Sequence, residues 1–559
     1  MADFTGAQYT VDEVLAGIKK NQISGLPPSN LSSKSVRIGD GKATIVWSVP
    51  ATTTVDGQVL QTTGGVMIRR KQGEAPQSIT DGDLVLVTSQ LSGSYEDAGL
   101  ENDQEYFWRF FPFSDHGIYN INEDNIISAT PRAYILYGFE IDKTNSDPDS
   151  CVTYTDMAVG FTPAAVDLST GAFNPGSWTE DVFFRQNNHV WMVKSDGTPD
   201  YQLDDNNYTK KLDGSASDVS NSAYDGNAMA RFDTVWIKRS ESGNTMKVQI
   251  CNIQLDEDFH AYAHTREDGS IMDYIWMAAF EGSTISSKIR SLKGLAPTTS
   301  QTGANEITYA ANNGTLWGTQ TWSQINMINM LLVLMAKSID TQTAFGYGHY
   351  SGGSQASHLL KTGTISDKGA FYGTSGNVAM KVFHIENYYG DAWNRIRGCV
   401  TDANKQILVK TTPPYNTAGT GYTATGITPG GTSGGYISAA KMTDAGLIPQ
   451  TASGSETTYF ADGLWFAASC YALVGGACYN GMKVGAFALD LNFAVSAASW
   501  SVGAALSCLC TNEPARPGPT PQDLEIDLPE VEIMPRTRHR PVSNRPTVGE
   551  AIRKKTTLK

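Results

Sequence analysis

Positive charge is scarce in this chain: 42 Lys and Arg stand against 57 Asp and Glu, for a formal net charge of −15 and a pI near 5.0. Binding a polyanion takes a basic patch, so the balance argues against a general nucleic-acid surface. Long apolar runs are missing too. The longest, Ile325 to Ala336, is interrupted by Asn326 and Asn329, whereas a membrane helix needs ~20 consecutive apolar residues. No membrane insertion is expected. The first residues, Met-Ala-Asp-Phe-Thr-Gly-Ala-Gln, lack a basic region followed by an apolar core, so no secretory signal is read there. Cysteines are few and odd in number: Cys151, Cys251, Cys399, Cys470, Cys478, Cys508 and Cys510. Their scatter argues against a secreted disulfide framework and predicts free, mostly buried thiols in a chain made in a cytosol.

What is plentiful is Gly (54 residues), with Tyr (24), Trp (11), Thr, Ser and Asn, a composition of twisted sheets and long loops. The fold class expected is mostly β with some α. At 559 residues the chain exceeds one ordinary core, so two or three domains are expected. Thr10 and Glu13 form a capping box ahead of Val11, Val14, Leu15 and Ile18, which predicts a short amphipathic helix within a segment 1–26 that packs on the next domain or attaches to a neighbour. Residues 27–131 read as a β-sandwich. Its strands alternate around Trp47, an Asp40-Gly41 turn separates two of them, and Glu105 to Phe113 supplies an aromatic-rich strand with Tyr106 at a core position.

Residues 132–510 form a larger α+β region. Tyr134–Ile141 and Val182–Val193 are predicted strands, and Thr321 with Gln324 opens a helix burying Ile325, Ile328, Leu332 and Met335. The Gly/Thr-rich run 417–435 is expected to be a surface loop. Residues 511–559 are proline-rich and read as an arm, either a strand that adds to a neighbouring sheet or a charged tail. Between Ala472 and Leu506 a rigid skeleton carries irregular fillings. Gly475, Gly476, Gly481, Gly485 and Gly503 mark turns or close approaches, and Ala486–Leu491 reads as a strand. Ala477, Tyr479, Met482, Lys483, Phe493, Ala497, Ala498 and Trp500 follow no single period, which suits a binding face on a fixed frame.

This pattern resembles the end of the C-type-lectin-like domains related to formylglycine-generating enzyme, found in phage tail proteins and in targets of diversity-generating retroelements. Ile385, Glu386, Asn387, Gly390 and Trp393 match that family's G-I-E-N-x-x-G-N-x-W-E-W segment, with departures at Asp391 and Arg395. The stretch Gly314–Val333 is similar to its approach to the first helix. The likeness spans roughly residues 180 to 510. Leu100–Phe110 likewise resembles the sixth-strand approach of fibronectin type III domains. These resemblances imply a phage virion protein, most simply a tail-fibre or tail-tip adhesin. It would bind a host cell-surface protein or glycan through the eight irregular residues between Ala477 and Trp500, assemble with other virion proteins, and form a homo-oligomer, most simply a trimer. The competing class is a non-receptor assembly subunit of baseplate, collar or head; a tail-associated depolymerase is the third.

Candidate chemistry is thin by comparison. Gly431-Thr-Ser433-Gly-Gly435 superficially resembles a chymotrypsin-like nucleophile segment, yet no matching His segment precedes it. His260 and His264 stand at a metal-ligand spacing, but their context reads as strand and loop. Asp204-Asp205 and Asp256 to Asp258 read as solvated turns rather than calcium or glycosidic sites. Cys508 and Cys510 follow directly on a lectin-type strand, against a copper site. No catalytic residue, cofactor or metal is assigned from the sequence.

Overall fold

The computed structural model describes residues 26–55 and 58–511; the helix read over residues 10–22 and the arm over 512–559 lie outside the described residues. The chain is mostly β. Strands Ser33–Gly39, Lys42–Ser48 and Ser92–Ala98 form one antiparallel sheet. Gln58–Gln72 pairs with Thr52–Val55, Asp83–Thr88 and Tyr106–Ser114, and Ile126–Ala129 completes the second. Period-2 alternation turns Ala43, Ile45 and Trp47 from one sheet and Tyr106, Trp108 and Phe110 from the other into a common core. The Trp108 indole N–H donates to buried Asp97 at 2.7 Å, and the Arg70 guanidinium neutralises the same carboxylate at 2.9 Å.

The sandwich is joined to the larger α+β region at its C-terminal side. The Ile38 amide donates to the Leu255 carbonyl at 2.8 Å, and the Ile38 side chain packs with Leu136, Leu255 and Phe259 in a small core that crosses residue 131. Beyond it, Val152–Asp156, Leu136–Asp142, Thr245–Cys251 and Trp236–Ser242 make a four-stranded sheet. A seven-stranded antiparallel sheet runs in the order Asn207–Lys211, Pro199–Asp204, Val190–Lys194, Gly226–Asp233, Tyr274–Ala278, Leu506–Leu509, Trp317–Thr319. In a third sheet Trp393–Thr401 lies beside Tyr471–Gly475, followed by Gly485–Phe493, Gly463–Phe466, Gly435–Thr443 and Gly446–Gly454.

Three α-helices accompany the sheets among the described residues: α1 (Gly303–Ala311), α2 (Trp322–Ala336) and α3 (Thr341–Phe345). The capping box at α2 forms as expected, with Thr321 Oγ1 accepting from the Gln324 amide and Gln324 Oε1 accepting from the Thr321 amide. Ile325, Ile328, Leu332 and Met335 are buried as expected, and the burial extends all round the helix: all fifteen residues of α2 are buried. The helix runs between sheets, so its polar positions need partners inside. Asn326 Oδ1 accepts from the Leu447 amide at 3.0 Å, and Asn329 donates to the Ala486 carbonyl at 2.7 Å while accepting from Tyr388 Oη at 2.7 Å. The strand expected over Val182–Val193 is confined to Val190–Lys194. Its first part is a turn, because the Val182 carbonyl accepts from the amides of Arg185 and Gln186.

Candidate functional site

The loop 476–484 leaves the strand Tyr471–Gly475 and returns into Gly485–Phe493, and the loop 494–501 follows that strand. Both are fastened from below. Buried Asp462 accepts from the Phe487 amide at 2.7 Å and from Gln342 Nε2 at 3.2 Å. The same Gln342 amide group, on α3, donates to the carbonyls of Met482 (2.9 Å) and Val484. Burial holds the Asp462 carboxyl well above the usual range. Gly485 has φ +151, and a Cβ there would lie 1.9 Å from Asp462 Oδ1, so this glycine is required by close approach.

On its other flank, loop 476–484 is tied to residues 349–352. The amide of Gly352 donates to the Cys478 carbonyl at 2.6 Å, and that of Gly481 to the Tyr350 carbonyl at 3.0 Å. Asp391, one of the two departures from the lectin-like pattern, accepts from buried His349 at 2.5 Å and from the Leu360 amide at 2.9 Å. Its own carbonyl receives the Cys478 amide at 2.8 Å. Arg395, the other departure, is buried between Glu306 of α1 (2.6 Å) and the Ala497 carbonyl (3.0 Å), which anchors loop 494–501. Both departures therefore hold the loops.

Upon this frame Tyr479 and Trp500, one from each loop, meet with ring centroids 5.3 Å apart. Tyr479 is 41% exposed, Ala498 is exposed and Trp500 is half-buried. Met482 is half-buried and lines a cleft of about 360 Å³ with Asp147, Asp340, Tyr347 and Glu456.

Other predicted face residues are placed differently. Ala477 is fully buried, packed with Trp393, Leu473, Ala488 and Val502; its amide donates to Asn480 Oδ1 at 2.7 Å, which turns the residue inward. It is scaffold and not face. Phe493 is half-buried on the same cluster, and Ala497 is half-buried. Lys483 does not project freely: its ammonium donates to the Gly434 carbonyl and sits 5.3 Å over the Tyr436 ring and 5.9 Å from that of Trp465. Such a cation–π clasp pins a loop rather than offering a charge.

Trp465 and Tyr436 are the rings around Lys483 that sequence reading missed. Trp465 lies edge-on to Trp393 at 5.3 Å, and Cβ atoms at Gly434 and Gly463 would come within 2.8 and 2.4 Å of its ring. The signal was available in Gly463-Leu-Trp465, a small residue placed so that a large ring can lie flat.

The remaining motifs do not assemble a reactive centre. Ser433 Oγ accepts from the Phe466 amide at 3.0 Å. His260 stacks on Tyr262 and faces Asp444 at 3.6 Å, whereas His264 is buried against the Phe232 carbonyl at 3.1 Å, so the two engage different partners. Cys478, nearest the face, is a buried thiol pushed up to about 12 by burial, far from nucleophilic. Asp204 Oδ1 caps its own turn through the Asn206 amide at 2.9 Å.

No family model matches the chain, and no curated protein does. Among solved structures, the twitchin kinase region from C. elegans is 12% identical over 41% of this chain and 40% of its own, with a TM-score of 0.14. The chain thus spans about two fifths of that structure's length. The Major Tropism Determinant U1 variant is 11% identical over 72% of this chain and 91% of its own, with a TM-score of 0.22. At these TM-scores neither likeness bears on fold or function.

Proposed function

We propose that the chain is a phage virion adhesin of the tail-fibre or tail-tip type, binding a bacterial surface protein or glycan through a lectin-like region over residues 132–510. One observation carries this reading: the Tyr479–Trp500 pair, contributed by two loops, stands partly exposed on a frame locked by Gln342, Asp462, Asp391 and Arg395. A pre-ordered aromatic pair offers contact area with little entropy left to lose on binding. The role is recognition rather than catalysis, and the contact set narrows to Tyr479, Met482, Ala498 and Trp500.

Attachment of the purified chain to a panel of intact bacterial cells tests it. Tyr479→Ala with Trp500→Ala is expected to abolish attachment, each ring supplying ~1–4 kcal/mol as a hot spot, while the melting temperature stays nearly unchanged. A stable double variant that attaches normally overturns the receptor reading. A variant that attaches but no longer assembles into particles favours the assembly-subunit role instead.

A further inference from the structure

Away from the loop face, three side chains distant in sequence converge. His189 precedes the strand Val190–Lys194, Asp205 follows the strand Pro199–Asp204, and His384 lies in the hairpin between Lys381–Val382 and Ile385–Glu386. One ligand atom from each lies within 4.8 Å of the other two. His189 Nδ1 is 2.6 Å from Asp205 Oδ2, and His384 Nε2 is 3.7 Å from Asp205 Oδ1. The second separation is too long for a hydrogen bond. It suits donors sharing one ion, since ligands at the usual bond lengths of a tetrahedral zinc stand roughly 3.4 Å apart.

The backbone presents the His384 ring to this point by an uncommon route. Phe383 and His384 both adopt left-handed conformations, with φ 47 and 66, a costly choice for residues with a Cβ. The turn buries Phe383 in the main core and sets the imidazole against Asp205. Tyr208 Oη then lies 2.8 Å from His384 Nδ1. With Nδ1–H donating to Tyr208, the Nε2 lone pair faces Asp205, the second-sphere arrangement that orients a metal-bound imidazole. The side chains of His189 and Asp205 are 29% and 25% exposed, so an ion can reach them.

We propose that His189, Asp205 and His384 form a binding site for a divalent transition ion of the zinc class, with a remaining position open to water or a ligand oxygen. Two imidazoles and one carboxylate suit zinc or cobalt rather than calcium or magnesium. The thiols, all buried, do not compete. A bound ion ties the edge hairpin of the seven-stranded sheet to the hairpin of residues 381–386.

The full chain, stripped with chelator and free of any histidine tag, is titrated with Co(II) and then Zn(II). About one equivalent of Co(II) is expected to give a visible d–d absorption that Zn(II) displaces, and Zn(II) is expected to raise the melting midpoint by several degrees. His189→Gln and Asp205→Asn should fold and weaken both responses at least tenfold, whereas exposed His358→Gln should leave them unchanged. Zinc-edge absorption of the loaded wild type, which depends on no variant, should report imidazole nitrogen and no sulfur. Absence of a saturable response in the wild type, sulfur at the zinc edge, or full responses in folded His189→Gln and Asp205→Asn would each overturn the site and leave a simple His189–Asp205 ion pair.

Discussion

Single residues separate what the loops need from what they tolerate. Gly485 and Gly481 both look like turn glycines in the sequence, yet Gly485 abuts Asp462 whereas nothing lies within 4 Å of a Cβ at Gly481, whose φ is +62. Gly485→Ala is therefore expected to cost ~3 kcal/mol or more by clash with a buried carboxyl, and Gly481→Ala only ~1 kcal/mol of backbone strain; urea denaturation of the two variants checks the contrast. His264 supplies a second residue-level test. It is fully buried, donates through Nε2 to the Phe232 carbonyl, and burial pushes its pKa down to about 4 from 6.5. The unfolded chain therefore takes up a proton near pH 6.5 that the folded chain refuses until about pH 4. Stability present above pH 6.5 is lost as pH falls through that window. Between pH 7 and pH 5 the advantage of the wild type over His264→Gln should shrink by about 2 kcal/mol, measured by denaturant unfolding at both values. A constant difference would show that His264 carries its proton in the fold.

Elements differ in how openly the sequence announces them. The start of α2 was legible because a capping box is a local device, Thr321 and Gln324 satisfying each other's amides within one turn. Thr321→Ala is accordingly expected to cost ~1 kcal/mol, readable as a lowered melting temperature with no change in cell attachment. The full burial of α2 was not legible, because Leu447, Ala486 and Tyr388, the partners that let Asn326 and Asn329 be buried, arrive from other segments. The same logic divides the loop face. Tyr479 and Trp500 stood out as large rings among glycines, but Ala477 was misplaced, since a small apolar residue fits a surface or a core equally well until Trp393 and Val502 close over it. His189, Asp205 and His384 were invisible as a set, for no spacing rule links three strand ends.

At the scale of the molecule, weak individual contacts gain strength by repetition, and the proposed adhesin is expected to be a trimer. Mass measurement in solution at micromolar concentration decides this, and a stable monomer would count against it. The order of the seven-stranded sheet has a temporal meaning as well. Leu506–Leu509 is an interior strand of that sheet, lying between Tyr274–Ala278 and Trp317–Thr319, so Ile275 pairs with Leu509 and Trp317 with Cys508. During synthesis the two flanking strands emerge from the ribosome long before the strand that joins them. Until it arrives, each presents an unpaired edge, a template for association with the wrong chain. The loops 476–484 and 494–501 are made in that interval, so the sheet is completed only after both loops are out, and a chain cut short before Leu506 leaves Tyr274–Ala278 with an open edge and Trp317–Thr319 without its sheet partner.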